Sequence, residues 1–195
     1  MNYIKLFENF SNKPLADLEN KLVKYSIPIQ HWGTGQAKTT SHLLDELDND
    51  ECIIKDEGGY LVRYVEFVGI RILYKDENDV TWLLKEDRQE FKDGRVRRRD
   101  IQSSVSEKMK AGENPNISAV RGIEEELGIE VDISQLKKLR PLYYDGGSQS
   151  YPGLKSKYVG HHFTCYLTPE QFMENGYVEI QKDKSTFFKW VERDN

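Results

Sequence analysis

Residues 60–75 (YLVRYVEFVGIRILYK) are rich in β-branched and aromatic side chains. Such residues suit a pleated, half-buried surface, so the stretch predicts strand, with Gly69 as a point where it divides or bends. The acidic DEND at 76–79 reads as a turn, and VTWLLKE returns as a second strand. Lys92-Asp93-Gly94 carries another turn signal. Together these predict a meander of strands with short connections. Upstream, Leu15, Leu18, Leu22 and Val23 recur at roughly helical spacing. Ser41 is placed to cap a short helix carrying Leu43, Leu44 and Leu47. Residues 1 to about 56 therefore read as helices and loops.

Beyond residue 100 a clear helical period returns. Ala119, Ile123 and Leu127 form part of one apolar face, with Asn116 or Ser118 as candidate caps and Gly128 as the stop. There follow an expected strand near Val131, a stretch Lys138–Tyr144 and a glycine-rich loop at Gly146-Gly147. A strand over His161–Leu167, a polar turn or short helix from Pro169, and a late strand at FFKWV (187–191) complete the reading. Strands, helix, then strands predict an α+β fold, an α/β/α sandwich on a mixed β-sheet. The expected division is a small, mostly helical N-terminal extension, residues 1–56, followed by a main domain, residues 57–195.

Composition narrows the class. A chain of 195 residues can bury a sizeable core without staples. Cys52 and Cys165 lie far apart and form no CxxC pair, which argues against a disulfide scaffold or a four-ligand zinc site. No apolar run approaches the roughly 18 residues of a membrane span. The opening MNYIKLFENFSNK lacks the pattern of a secretory leader. The expectation is a soluble, cytoplasmic protein with no membrane partner. Net charge is only −5, but it is unevenly spread. Asp45–Glu57 is acidic, whereas Arg95–Arg99 (RVRRR), Lys108 and Lys110 are basic. Such a patch can attract a phosphorylated ligand. It is small for general nucleic-acid binding, so no DNA partner is indicated, while an RNA end remains compatible. HWGTGQAKTTSH superficially suggests a phosphate loop. However, Ala37 precedes Lys38 and Trp32 stands where the upstream glycine is needed, so a turn before a helix is the better reading.

The densest chemistry lies on the helix. Glu124, Glu125 and Glu126 are consecutive and precede Gly128. At about 100° per residue, Gly122 and Glu126 share one face, and Arg121 and Glu125 the next. Carboxylates in the C-terminal half of a helix gain nothing from its dipole. A divalent cation would relieve their repulsion, and Mg²⁺ prefers carboxylate and water oxygens. Glu113 could add a third carboxylate from the preceding loop. The plainer alternative is a solvated acidic helix with Arg121 in an ordinary salt bridge.

Residues 107–129 resemble the Nudix box. Its pattern is Gly, five residues, Glu, seven residues, Arg-Glu-aliphatic, one residue, Glu-Glu, one residue, Gly-aliphatic. Here Glu113 is followed by seven residues and Arg121, then Ile123, Glu125-Glu126 and Gly128-Ile129. GENPNISAVR (112–121) is similar to the box's polar turn and helix start, and FKWV (188–191) to a strand that commonly follows. The resemblance spans about residues 60–195 and leaves the first 55 or so outside. It implies a Nudix-like sandwich that cleaves the pyrophosphate of a small nucleoside diphosphate derivative with Mg²⁺, or Mn²⁺ in its place. Glu113, Glu125 and Glu126 would be metal ligands, with Glu125 or Glu126 assisting water. Arg121 would orient these carboxylates.

Arg97, Arg99 and Lys108, with Arg95, Arg98 and Lys110, could hold phosphates. Tyr144, Tyr143 or Tyr151 could stack a base. His161 and His162, adjacent in a strand, would point to opposite faces, leaving one able to enter the cleft.

Two positions depart from the box. Glu107 stands at its opening glycine, and Gly122 replaces the glutamate after the arginine, commonly a direct metal ligand. A helical glycine costs about 1 kcal/mol relative to alanine. It could leave room for water or for a carboxylate from Glu107, Glu124, Asp145, Glu174 or Glu179. The runner-up reading is a nucleotide- or RNA-binding regulatory protein of the same fold with weakened or lost catalysis. A third is an unrelated α+β interaction protein. The N-terminal region could cover a sheet edge, cap the cleft or form a homodimer contact.

Overall fold

The computed structural model describes residues 14–193. The opening segment on which the leader reading rests, residues 1–13, lies outside them. The chain forms two compact units: residues up to Glu66 with Tyr143–Val159, and Phe67–Leu142 with Gly160 onward.

In the first unit, α1 (Pro14–Lys24) buries Leu18 and Leu22, whereas Val23, next around the helix, is exposed. α2 (Thr40–Asp48) is capped by Thr39, not Ser41. The Thr39 hydroxyl accepts the His42 N–H and the His42 ring accepts the Thr39 N–H, which satisfies two otherwise orphaned donors. β1 (Ile53–Glu57) pairs antiparallel with the start of β2 (Tyr60–Lys75). A strand thus lies at the end of the stretch expected to be helices and loops. Its apolar Ile53-Ile54 is short and embedded in an acidic run, so the alternation is weak. Leu18, Leu22, Leu43, Ile54, Leu61 and Val65 share a core with Tyr151 and Leu154. That shared core is why residues 143–159 belong with the N-terminal residues in the first unit.

The second unit carries the sheet order β6 (Leu136–Lys138), β8 (Lys155–Tyr166), β2, β3 (Thr81–Phe91), β10 (Lys184–Glu192), β9 (Tyr177–Ile180). β8 and β2 each run through both units. β4 (Val96–Arg97) pairs with β3, β5 (Val105–Lys108) with β2, and β7 (Leu142–Gly147) with β8. β2 to β3, β3 to β10 and β10 to β9 are antiparallel. β8 runs parallel to β2, because their residue numbers climb together: Gly160 meets Phe67, Gly69 meets His162, and the Leu167 N–H donates to Leu73 O at 2.8 Å. The sheet is therefore mixed, and the fold is an α+β sandwich, as the element order predicted.

α3 (Pro115–Leu127) packs against β5 and β9. Its cap is Asn114, whose side chain accepts the Asn116 N–H, earlier than either expected cap. Pro115 follows naturally at the first helical position, where no N–H is needed. Gly128 closes the helix in the left-handed conformation at φ 67°, which glycine adopts without a Cβ penalty. The inward face of α3 places Ala119, Ile123 and Leu127 in a core with Val68, Ile70, Val105 and Phe163.

Three local expectations differ. Gly69 does not divide β2, which is continuous. No strand forms at Val131; a 3-10 turn at Ile133–Gln135 leads into β6. The stretch Lys138–Tyr144 splits into β6 and β7 around Pro141, which has no ladder N–H to give. Gly146-Gly147 falls in the end of β7. Among the described residues, no helix is long and apolar enough to cross a membrane.

Candidate active site

Arg121 is the hub of the box region. Its Nε and Nη2 reach the two Glu113 oxygens at 3.2 and 3.1 Å. Nη1 reaches Glu107 Oε1 and Glu125 Oε2, each at 3.2 Å, and Nη2 also donates to Lys108 O at 3.1 Å. A guanidinium offers five donors in a rigid fork, and this one ties strand β5, the loop and the helix together. Glu113 also accepts the Lys110 N–H at 2.9 Å. Burial opposes its ionised form, but Arg121 and that N–H hold its carboxyl below the ordinary value. Arg121 is held charged, chiefly by Glu113.

Glu125 and Glu126 diverge although adjacent. Glu125 is exposed and spans one turn to Arg121. Glu126 lies one turn after Gly122 on α3 and is partly buried. Burial, then Glu179 and Glu107, push its carboxyl from 4.5 up to about 8, against the Ser106 N–H and the charge of Arg99. Two acids therefore crowd a third, and the charge of Arg99 offsets them only in part.

The space at Gly122 is already filled. A Cβ there would sit 2.9 Å from the Glu107 Cβ, 3.4 Å from its Cγ and 3.5 Å from Val105 Cγ1. The glycine leaves no room for water on that side, contrary to one expectation from the sequence. Of the other carboxylates considered, Glu107 and Glu179 act on Glu126. Glu124 and Glu174 are exposed, and Asp145 belongs to the first unit.

Among the described residues, no group of three or more His, Cys, Asp or Glu side chains is assembled to hold a metal ion. A closed protein cage for a cation is thus not present. The donor chemistry fits an open Mg²⁺ site, since Mg²⁺ commonly takes one or two carboxylates and completes its shell with water and phosphate oxygens.

The basic run is not a uniform cationic strip. Arg99 pairs with buried Glu86, its Nε 2.9 Å from Oε1. Arg98 reaches Asp87 at 3.1 Å, and Arg95 reaches Asp93 at 2.7 Å. Asp87 is held down at about 2 by hydrogen bonds from Lys189 and Arg88. Arg97 is exposed on β4, and Lys108 ends β5. These acidic partners lie on β3 and its following turn, so nothing within RVRRR announces them.

Tyr144 is in the first unit, stacked on Tyr158 with ring centres 5.0 Å apart. Tyr143 is exposed. Tyr151 is fully buried against Trp32, so it is a core side chain and not a base platform. His162 meets Phe67 edge-on, and burial lowers its pKa. The sequence reading missed a cleft of about 480 Å³ in the first unit, lined by Glu57, Tyr60, Asp145, Gly146, Lys155 and Lys157. Its signals in the sequence were the alternation of Lys155 and Lys157 and the nearby Asp145 and Gly146-Gly147.

No known family profile and no curated protein matches the sequence. Solved structures do show similarity. A MutT/nudix family protein from Enterococcus faecalis aligns with 96% of this chain at 14% identity and TM-score 0.45, and the chain spans 58% of that protein. The Ap4A hydrolase of C. elegans aligns with 66% of this chain and 80% of its own, at 16% identity and TM-score 0.38. The NUDIX domain of Shewanella oneidensis NrtR, crystallised with ADP ribose, covers 76% and 82%, at 11% identity and TM-score 0.41.

Proposed function

We propose that the chain is a Mg²⁺-dependent hydrolase that cleaves the pyrophosphate of a nucleoside diphosphate derivative. The observation that carries this reading is Glu126, a half-buried carboxylate crowded by Glu107 and Glu179 beside a fully bonded Arg121. A structural acidic helix would turn these charges to water or pair them.

Glu126 would be the chief protein ligand of the cation, which when bound neutralises phosphoryl oxygens and lowers the pKa of a bound water. Glu113 and Glu125, expected as ligands, are read here first as partners of Arg121, which holds the loop against α3. Arg97 and Lys108 would steer the phosphates, while Arg99 is committed to Glu86. In the reaction, water oxygen adds to one phosphorus as the bridging P–O bond breaks, and the leaving phosphate takes the electron pair. The water proton passes to a nearby carboxylate oxygen, for which Glu125 is an accessible acceptor.

The test is a hydrolysis screen over ADP-ribose, dinucleoside polyphosphates, NADH, FAD and nucleoside triphosphates, with and without Mg²⁺. Metal-dependent turnover that E126Q abolishes is expected. Nucleotide binding without turnover on any of them would favour instead the regulatory, non-catalytic reading that Gly122 motivates.

A further inference from the structure

The two departures from the box, fifteen positions apart in sequence, are one place in the fold. Glu107 lies on β5 opposite Val68, and Gly122 is buried on the face of α3 that packs against that strand. The atom nearest a Cβ at position 122 is the Glu107 Cβ, at 2.9 Å. It belongs to the strand-anchored stem and not to the mobile end of a side chain, so it yields only if the strand or helix shifts. Glu107 and a larger residue at 122 therefore exclude one another. Val105, two residues back and on the same face of the strand, is also in contact range at 3.5 Å.

The Glu107 carboxylate reaches the charged side chains of α3 on either side of Gly122. Its Oε1 is 3.2 Å from Arg121 Nη1, and its charge acts on Glu126, one helical turn beyond Gly122. The side chain is only partly exposed. The adjoining Ser106 N–H also bonds Glu126, so β5 already serves that carboxylate from its backbone.

We infer that Glu107 and Gly122 are a reciprocal exchange, in which β5 supplies the metal-binding carboxylate that α3 lacks. This rests on the hydrolase reading above. Under it the site has no missing ligand: Glu107 and Glu126 form its protein half, and water and substrate phosphate the rest. Gly122 is the condition for that arrangement and not the scar of a lost site.

Two measurements without substrate test it. The first is a thermal-stability cycle on metal-free protein. G122A should lower Tm by several degrees, although alanine is the better helix former, and E107G/G122A should recover most of the loss. Independent, additive effects of the two changes would overturn the exchange. The second is Mn²⁺ binding followed by electron paramagnetic resonance. E107Q, which keeps the stem, should fold normally and bind Mn²⁺ at least tenfold more weakly. E107G/G122E should bind within a fewfold of the natural protein. Natural-strength binding by E107Q would overturn this inference and leave the hydrolase reading standing. No Mn²⁺ binding by the natural protein would sink both the carboxylate transfer and the hydrolase reading.

Discussion

Each unit contains a glutamate drawn out of water close to an arginine, and the two are built to opposite balances. In the first unit Glu46 is buried and bonded by Arg63, itself only 4% exposed, and by Lys38 at 2.7 Å. Arg63 also lies over the Tyr151 ring at 5.1 Å. The acid is matched by cations and sealed by aromatic packing. In the second unit Arg121 gathers Glu107, Glu113 and Glu125, while Glu126 is left among acids with burial against its charge. The first arrangement holds a fold together. The second stores repulsion, which a cation would release, and that separates them more clearly than residue type does.

The largest effect is expected from breaking the matched pair. R63A strands a buried carboxylate, and should cost about 3–5 kcal/mol of stability in urea unfolding. A loss below about 1 kcal/mol would mean that Lys38 alone satisfies Glu46.

Glu126 should show the opposite behaviour. Its folded pKa of about 8 lies above the ordinary 4.5, so folding favours the protonated form. The contribution is full below about pH 4.5 and is lost as pH rises toward 8, by roughly 2–4 kcal/mol without metal. E126Q should flatten that slope in unfolding curves between pH 5 and 9. Added Mg²⁺ should raise Tm more at pH 8 than at pH 5. An identical pH slope in E126Q would show that Glu126 titrates normally.

A smaller loss is expected at the hub. R121A removes charge-assisted bonds to Glu113, Glu107 and Glu125, and should cost about 1.5–3 kcal/mol. Faster amide exchange of the 109–114 segment would accompany it, and unchanged exchange there would deny Arg121 its clamping role. R121K should recover little, since an ammonium cannot reproduce the fork.

The smallest effect is expected at the exposed neighbour. E125Q breaks only a one-turn surface pair and should change stability by at most about 0.5 kcal/mol. If E125Q and E126Q lower Mg²⁺-dependent turnover equally, the inward and outward glutamates act as equals after all.

Much of this was legible in order along the chain. The run at 60–75, the turns at 76–79 and 92–94, and the helix ended by Gly128 follow from period and turn chemistry, which act over a few residues. The loop and helix at 107–129 were legible for the same reason, since their pattern is local. Caps were misplaced by a few residues because Thr39 and Asn114 compete with nearby polar side chains, and only backbone direction decides between them. Val23 and Tyr151 show a second limit: apolarity does not say which faces are covered.

The sequence by itself determined an α+β protein with one carboxylate-rich helix, and it marked 107 and 122 as two separate anomalies. Only the tertiary structure decided that they touch, that Arg99 answers Glu86, that Glu126 turns inward while Glu125 turns out, and that 143–159 shares a core with the N-terminal helices. The physical reason is the same in each case. Helix period and turn preference are set by neighbours in sequence, whereas close approach, desolvation and charge balance are set by neighbours in space.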